Sequence, residues 1–336
     1  MKRLFTMCCL VLTLPASVGW AQESTPWRDP SKHSVQFVTV DDGVRLEVLD
    51  WGGSGRPLVL LSGLGWTAHV FDDFAHKLTD KYHVYGITRR GYGNSSKPAT
   101  GYTEDRLTED DVRVFDALKL VAPIVVGHSI AGNELSQLGI HHYDRIGGLV
   151  YLDALNDGAD DYTDYDALWT KMPESMRKPH QPADADRKSF SAYRDWRIRV
   201  SGIAIPESEL HNQFAQNPDG SVGADKTPDY VPKEIMTGNW KHDYSQIRVP
   251  VLAFVGYDKT PQEQIAEHHI ADPAERTIVE AAYGTYVGMA RNRIKRINSA
   301  AGGAHVVELW GAHHFVFMSN EAEVLCEMHK FVASLH

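Results

Sequence analysis

Ile124-Val125-Val126-Gly127-His128-Ser129-Ile130-Ala131-Gly132 is the stretch whose reading decides the fold. Three β-branched residues in succession read as a strand buried on both faces, and Gly127-His128-Ser129 ends it in a sharp turn. Residues 130–142 then carry Leu135, Leu138 and Gly139 on one face at helical spacing, which predicts a helix. A serine at the apex of such a turn stands clear of the sheet, with the next backbone N–H at a helix N-terminus. That shape suits a nucleophile. A hydroxyl attacks only when a base takes its proton, and the neighbouring N–H can stabilise the oxyanion that results.

Outward from this stretch the chain alternates strands and helices. Residues 35–40 and 44–51 alternate apolar and polar about Asp41-Asp42-Gly43 and predict an antiparallel hairpin. Pro57-Leu58-Val59-Leu60-Leu61 is a nearly continuous apolar run, followed by Ser62-Gly63-Leu64-Gly65-Trp66 and a helix expected to reach about Asp80. Residues 82–88 are the next strand and residues 105–120 the next helix, with Leu107, Val114 and Leu118 inward. Beyond the central stretch, residues 146–152 form a strand that ends at Asp153. Residues 249–256 and 304–310 complete the strands, residues 260–299 read as largely helical, and residues 321–335 close the chain as a helix. The expected fold is α/β, a mostly parallel eight-stranded sheet with helices on both faces.

From residue 156 to 247 the sheet pattern stops, and aromatic and methionine residues such as Trp169, Met172, Met176, Phe190, Trp196 and Trp240 lie in short pieces broken by prolines. This stretch is expected to be a helical cap inserted into the core, whose two parts are residues 22–155 and 248–336. Ligands of such sheets bind outside the carboxyl ends of the strands. Residues 62–64, Ser129 and Asp153 all fall at such ends.

The termini and composition narrow the function. Lys2-Arg3, the apolar residues 4–14 and Gly19-Trp20-Ala21 have the order of a secretory signal peptide, so residues 1–21 are expected to be removed and the protein exported to the periplasm or beyond. The apolar run is too short to span a bilayer, and no membrane association is expected after cleavage. Two of the three cysteines leave with that peptide. Cys326 is expected to sit as a small buried hydrophobe in the last helix. A formal charge of −10 over 336 residues, with no basic patch, excludes nucleic acid as a partner. The adjacent pairs His141-His142, His268-His269 and His313-His314 do not share a helix face, and no metal-ligand cluster is expected.

The stretch 127–131 resembles the Gly-x-Ser-x-Gly turn of the Ser-nucleophile α/β-hydrolase superfamily, with Ala131 in place of the last glycine. The loop at residues 62–65 is similar to the family's His-Gly-x-x segment, with Ser62 replacing the histidine. The resemblance implies oxyanion-hole N–H groups from Leu64 and Ile130. Arg89-Arg90-Gly91-Tyr92-Gly93-Asn94-Ser95 resembles a segment that has a structural role in many members. Gly311-Ala312-His313-His314 resembles the segment that carries the catalytic histidine and implies His314 as the general base, with His313 as its rival.

Asp153 is the expected triad acid, with Asp258 as the alternative. Asp153, 24 positions after Ser129, resembles the acid of haloalkane dehalogenases and zearalenone lactonases. Asp258 follows the next strand, near the commoner family position but one residue early. The implied activity is acyl transfer on a carboxylic ester or lactone with an apolar part, without a cofactor. Epoxide hydrolases and haloalkane dehalogenases use an aspartate as nucleophile, whereas residue 129 is serine. Carbon–carbon bond hydrolysis, cofactor-free haloperoxidase chemistry and a non-enzymatic ligand-binding role remain open on this fold.

Overall fold

The computed structural model describes residues 27–178, 180–238 and 241–335. The signal-peptide segment and Trp240 lie outside the described residues. Apolar runs of five to nine residues build one eight-stranded sheet. Its strands in chain order are β1 (Ser34–Asp41), β2 (Val44–Gly52), β3 (Pro57–Leu61), β4 (His83–Ile87), β5 (Ile124–His128) and β6 (Gly148–Leu152). After a two-stranded hairpin, β7 (Phe214–Gln216) and β8 (Val222–Asp225), come β9 (Val251–Tyr257) and β10 (Ala304–Trp310). The sheet order is β1-β2-β4-β3-β5-β6-β9-β10, parallel except where β2 meets its neighbours.

Register brings the functional ends into line. Leu61 pairs with Gly127, His128 with Leu152, and Leu152 with Phe254, so Ser62, Ser129 and Asp153 leave the sheet at one level. The central strands β5 and β6 are buried on both faces. Alternate residues feed two apolar layers: Val126, Val150 and Phe254 meet Val324 and Met328 of the helix Glu321–Ser334 on one side. Val125, Leu149 and Tyr151 meet Phe115 of Glu104–Ala117 and Leu135 and Leu138 of Ala131–His141 on the other.

Four expectations need correction. The helix expected to reach Asp80 is three short pieces, Ala68–Phe71, Asp72–Ala75 and His76–Leu78, the first and last 3-10 helical. Thr67 caps the first turn by accepting from the His69 N–H, and the tighter winding sets His69 and Asp72, three apart, on one side. The stretch between β6 and β9 adds no strand to the main sheet, but it is not wholly helical. Asn217-Pro218-Asp219-Gly220 turns the hairpin β7–β8, with Gly220 at φ +86°. Cys326 is exposed, because the last helix buries Val324, Met328, Phe331 and Val332 and residue 326 projects from the opposite face. Finally, the fold gathers Asp29, His33, His69 and Asp72 into one cluster, which spacing along the chain does not reveal.

Candidate active site

Ser129 follows β5 with φ +57°, a left-handed conformation that costs a non-glycine residue roughly 1–2 kcal/mol. The turn is held by Ser129 N donating to Leu152 O at 3.3 Å and Gly132 N donating to Ser129 O at 3.0 Å. Two glycines make the site possible. A Cβ on Gly132 would lie 1.8 Å from the Ala154 carbonyl oxygen, so helix and neighbouring strand end touch through bare backbone. A Cβ on Gly63 would lie 2.9 Å from His128 Nδ1 and 3.2 Å from Ser129 Cβ, which sets the Gly63 loop against the serine. Ala131 is tolerated because its methyl faces Gly127, where a Cβ would be only 3.1 Å away.

Leu64 and Ile130 flank that serine, and neither N–H donates a hydrogen bond among the described residues. Their side chains pack beside Tyr92, Tyr102 and Leu107 and against Val231 and Ile235 of the helix Tyr230–Met236. Two buried groups fix the surrounding loops: Arg89, from the segment whose resemblance implied a structural role, and Glu134, which the sequence did not single out. Arg89 clasps Glu134, of the helix after Ser129, through Nε and Nη2 at 2.7 and 2.6 Å. The same Nη2 donates to Ser62 O at 3.1 Å. A buried forked pair of this kind fixes orientation at least as much as it adds stability. The Arg-Gly loop is thus a brace between Ser62 and the helix Ala131–His141.

Asp153 also has positive φ, +48°, at the end of β6. Its Oδ1 accepts from Gly256 N at 2.9 Å and its Oδ2 accepts from His314 Nδ1 at 2.6 Å. Asp153 is largely covered, whereas the His314 ring is about half exposed (14% and 47% side-chain exposure). Asp258, by contrast, is exposed, accepts from Lys259 N at 2.7 Å and makes no bond to His314. The early position of Asp258 leaves it just past β9, on the wall of the cavity described below but without a bond to His314. The His313 ring is engaged locally, Nδ1 accepting from Phe315 N at 3.2 Å, and burial lowers its pKa.

No hydrogen bond joins Ser129 Oγ to His314 among the described residues, an arrangement that tightens in many hydrolases only with substrate present. The loop of His314 is tied to the serine turn another way. His128 Nε2 donates to the His314 carbonyl at 3.0 Å, and the two rings lie 4.7 Å apart. Complete burial holds the His128 imidazole well below its usual pKa, so it is neutral with the proton on Nε2.

A cavity of about 1230 Å³ opens on Asp153 and His314. Trp169, Met172 and Met176 from the β6–β9 stretch and Tyr283 and Tyr286 from the helix Pro273–Ile297 line it. Phe190, Tyr193 and Trp196 are packed into the core instead.

A sequence profile of the alpha/beta hydrolase family matches residues 58–327. A Caulobacter segnis protein named for carbamate hydrolysis is 40% identical over 112 residues, 32% of this chain and 42% of its own. The chain therefore spans about two fifths of that relative's length. The non-heme chloroperoxidase of Burkholderia pyrrocinia is 33% identical over 274 residues, 74% of this chain and 89% of its own. Among solved structures, E-2-(acetamidomethylene)succinate hydrolase superposes with a TM-score of 0.65 at 18% identity, over 90% of this chain and 100% of its own. That likeness is one of fold. By its profile match and its long alignment to the chloroperoxidase, the chain belongs to the alpha/beta hydrolase family.

Proposed function

We propose that the protein is a serine hydrolase that cleaves a carboxylic ester or lactone through an acyl-enzyme on Ser129. In this reading His314 Nε2 takes the proton from Ser129 Oγ as it attacks the carbonyl carbon. Asp153 keeps the proton on Nδ1 and stabilises the imidazolium. The tetrahedral oxyanion rests on the N–H groups of Leu64 and Ile130. Collapse breaks the bond to the alkoxy oxygen, which leaves with the proton from His314. Water, deprotonated by the same imidazole, then frees the acid and restores the serine. The chemistry is complete with these side chains and water.

The observation that carries this reading is the 2.6 Å contact between Asp153 and His314, whose loop is bonded to the residue before the left-handed Ser129. The aromatic and thioether lining of the adjacent cavity supports a substrate with an apolar part. A second reading on the same residues is cofactor-free haloperoxidase chemistry, favoured by the similarity to the Burkholderia non-heme chloroperoxidase. Export with cleavage after Ala21 belongs to the same proposal and rests on residues 1–21 alone.

Hydrolysis of p-nitrophenyl acetate and butyrate and of a small lactone, beside Ser129→Ala, tests the reading. Turnover abolished in the variant supports it. Halide oxidation without ester or lactone turnover would replace it with the second reading.

A further inference from the structure

Beside Val70 and Asp73, which line the cavity that opens on Asp153 and His314, four side chains from two distant segments converge. Asp29 and His33 come from the segment leading into β1, and His69 and Asp72 from the short helical pieces after the Gly63 loop. Each offers a ligand atom, and these atoms all lie within 4.8 Å of one another. We propose that they form a closed structural site for one zinc ion, which clips the start of the described chain to the segment behind the Gly63 loop.

Spacing is the first support. Asp29 Oδ2 lies 3.6 Å from His33 Nε2 and 3.4 Å from His69 Nδ1, and His69 Nδ1 lies 3.3 Å from Asp72 Oδ2. A tetrahedral ion with ligands at about 2.0–2.1 Å separates its donors by about 3.3 Å. Two imidazoles with two carboxylates are a donor set for zinc rather than for calcium or magnesium, which prefer oxygen alone.

The second support is orientation. Histidines that ligate a metal almost always present their other nitrogen to a carboxylate or carbonyl. His69 is arranged this way, and His33 sits between the two aspartates, Nδ1 2.8 Å from Asp72 Oδ1 and Nε2 3.6 Å from Asp29 Oδ2, so that this ring turns to put one nitrogen on the ion. His69 Nε2, buried and without a hydrogen-bond partner, faces Glu47 Oε1 at 3.7 Å, leaving Nδ1 toward both aspartates. The carboxylates are fixed as well. Ser31 N donates to Asp29 Oδ1 at 2.8 Å, which turns Oδ2 to the imidazoles. Trp51 Nε1 donates to Asp72 Oδ1 at 2.9 Å, and the rotatable hydroxyls of Ser31 and Ser208 donate to Oδ2 at 3.1 and 2.5 Å.

Charge is the third. Asp29, Glu47 and Asp72 bring three carboxylates to a place where the His33, His69, Glu47 and Asp72 side chains are at most 3% exposed. Carboxylates at this spacing call for a positive charge, and a bound metal cation is one source of it beside a protonated His69. A divalent ion on neutral imidazoles leaves one net negative charge among the five side chains. With all four positions filled by protein, such an ion has no open site for catalysis and acts as a staple. The staple reaches past its own ligands. Ser208 belongs to the helix Glu207–Gln213, whose Glu209 accepts from Thr67 N at 3.0 Å, so the clip also seats this helix on the Gly63 loop.

The test uses tag-free full chain, dialysed against a chelator and then exposed to zinc chloride. The expected result is one zinc per chain by elemental analysis after desalting, and a melting midpoint several degrees higher with zinc than with chelator. His33→Gln and Asp29→Asn lie outside the sheet and are expected to fold. Each should weaken zinc binding at least about a hundredfold and remove the zinc-dependent rise in midpoint. Cobalt(II) in place of zinc should give visible bands of tetrahedral strength in the wild type and not in His33→Gln. Sub-stoichiometric zinc in the wild type would overturn the proposal and leave a hydrogen-bonded hub around Asp72. So would equal zinc binding by the variants, which would point to the surface histidine pairs.

Discussion

His128 Nε2 donates a hydrogen bond to the backbone carbonyl of His314 at 3.0 Å, across 186 residues of chain. The residue before the proposed nucleophile thus anchors the loop of the proposed base. The bond requires the proton on Nε2, and burial keeps the ring neutral, so the anchor does not switch with the protonation of His314. Ser129 and the His314 loop are positioned by one element rather than two.

Removing this anchor leaves the catalytic side chains in place but frees their spacing. His128→Leu is expected to lower kcat about ten- to a hundredfold with little change in KM, since small misplacements of reacting groups have effects of that order. Steady-state kinetics on a p-nitrophenyl ester check it. An unchanged kcat would mean that the anchor does not position the base.

The two candidate acids should separate cleanly. Asp153→Asn is expected to cost about 10³–10⁴ in kcat, the scale seen when a triad carboxylate loses its charge. Asp258→Asn, exposed and bonded only to the next N–H, should stay within about a factor of two. Parallel kinetics of the two variants decide between them.

The strands around Ser129 were legible because runs such as 57–61 and 124–128 are largely apolar, short and bounded by turn residues. The positions of the proposed oxyanion donors, Leu64 and Ile130, came from the resemblance, because such donors are backbone groups fixed by position after a strand. The acid was legible as Asp153 with Asp258 as its alternative, because both follow strands, and the bond from His314 to Asp153 separates them. The segment of Arg89 was legible as structural, but its pairing with Glu134 was not. A charged residue in a loop and one in a first helical turn look solvated until the fold buries them together. The cluster of Asp29, His33, His69 and Asp72 needs the segment leading into β1 to fold back over the helical pieces, which no local pattern encodes.

Close contact at residue 132 predicts a stability effect the motif does not. Gly132→Ala drives a methyl into the Ala154 carbonyl and is expected to destabilise by at least about 3 kcal/mol. Ala131→Gly, which restores the family pattern, should cost only about 1 kcal/mol. Urea unfolding of both variants measures the contrast, and equal effects would contradict it.

Glu209 predicts a pH dependence. Burial pushes its carboxyl up to about 7, against hydrogen bonds from Thr67 that act the other way. A carboxyl with a raised folded-state pKa contributes its full stability below its unfolded pKa and loses it as pH rises through about 7. Glu209→Gln keeps an acceptor for the Thr67 N–H and removes the charge. Its melting midpoint should exceed the wild type's by several degrees at pH 8 and converge with it at pH 4. A constant offset across that range would show that Glu209 is not the titrating group.

Fluorophosphonate labelling followed by intact mass and peptide mapping tests the central claim most directly, because it reports an activated serine before any substrate is known. The account predicts one adduct per chain, on Ser129, lost in Ser129→Ala and slowed about as strongly in Asp153→Asn as ester turnover is. A wild-type chain that stays unlabelled, or carries the adduct on another residue, would contradict the assignment of Ser129 as nucleophile.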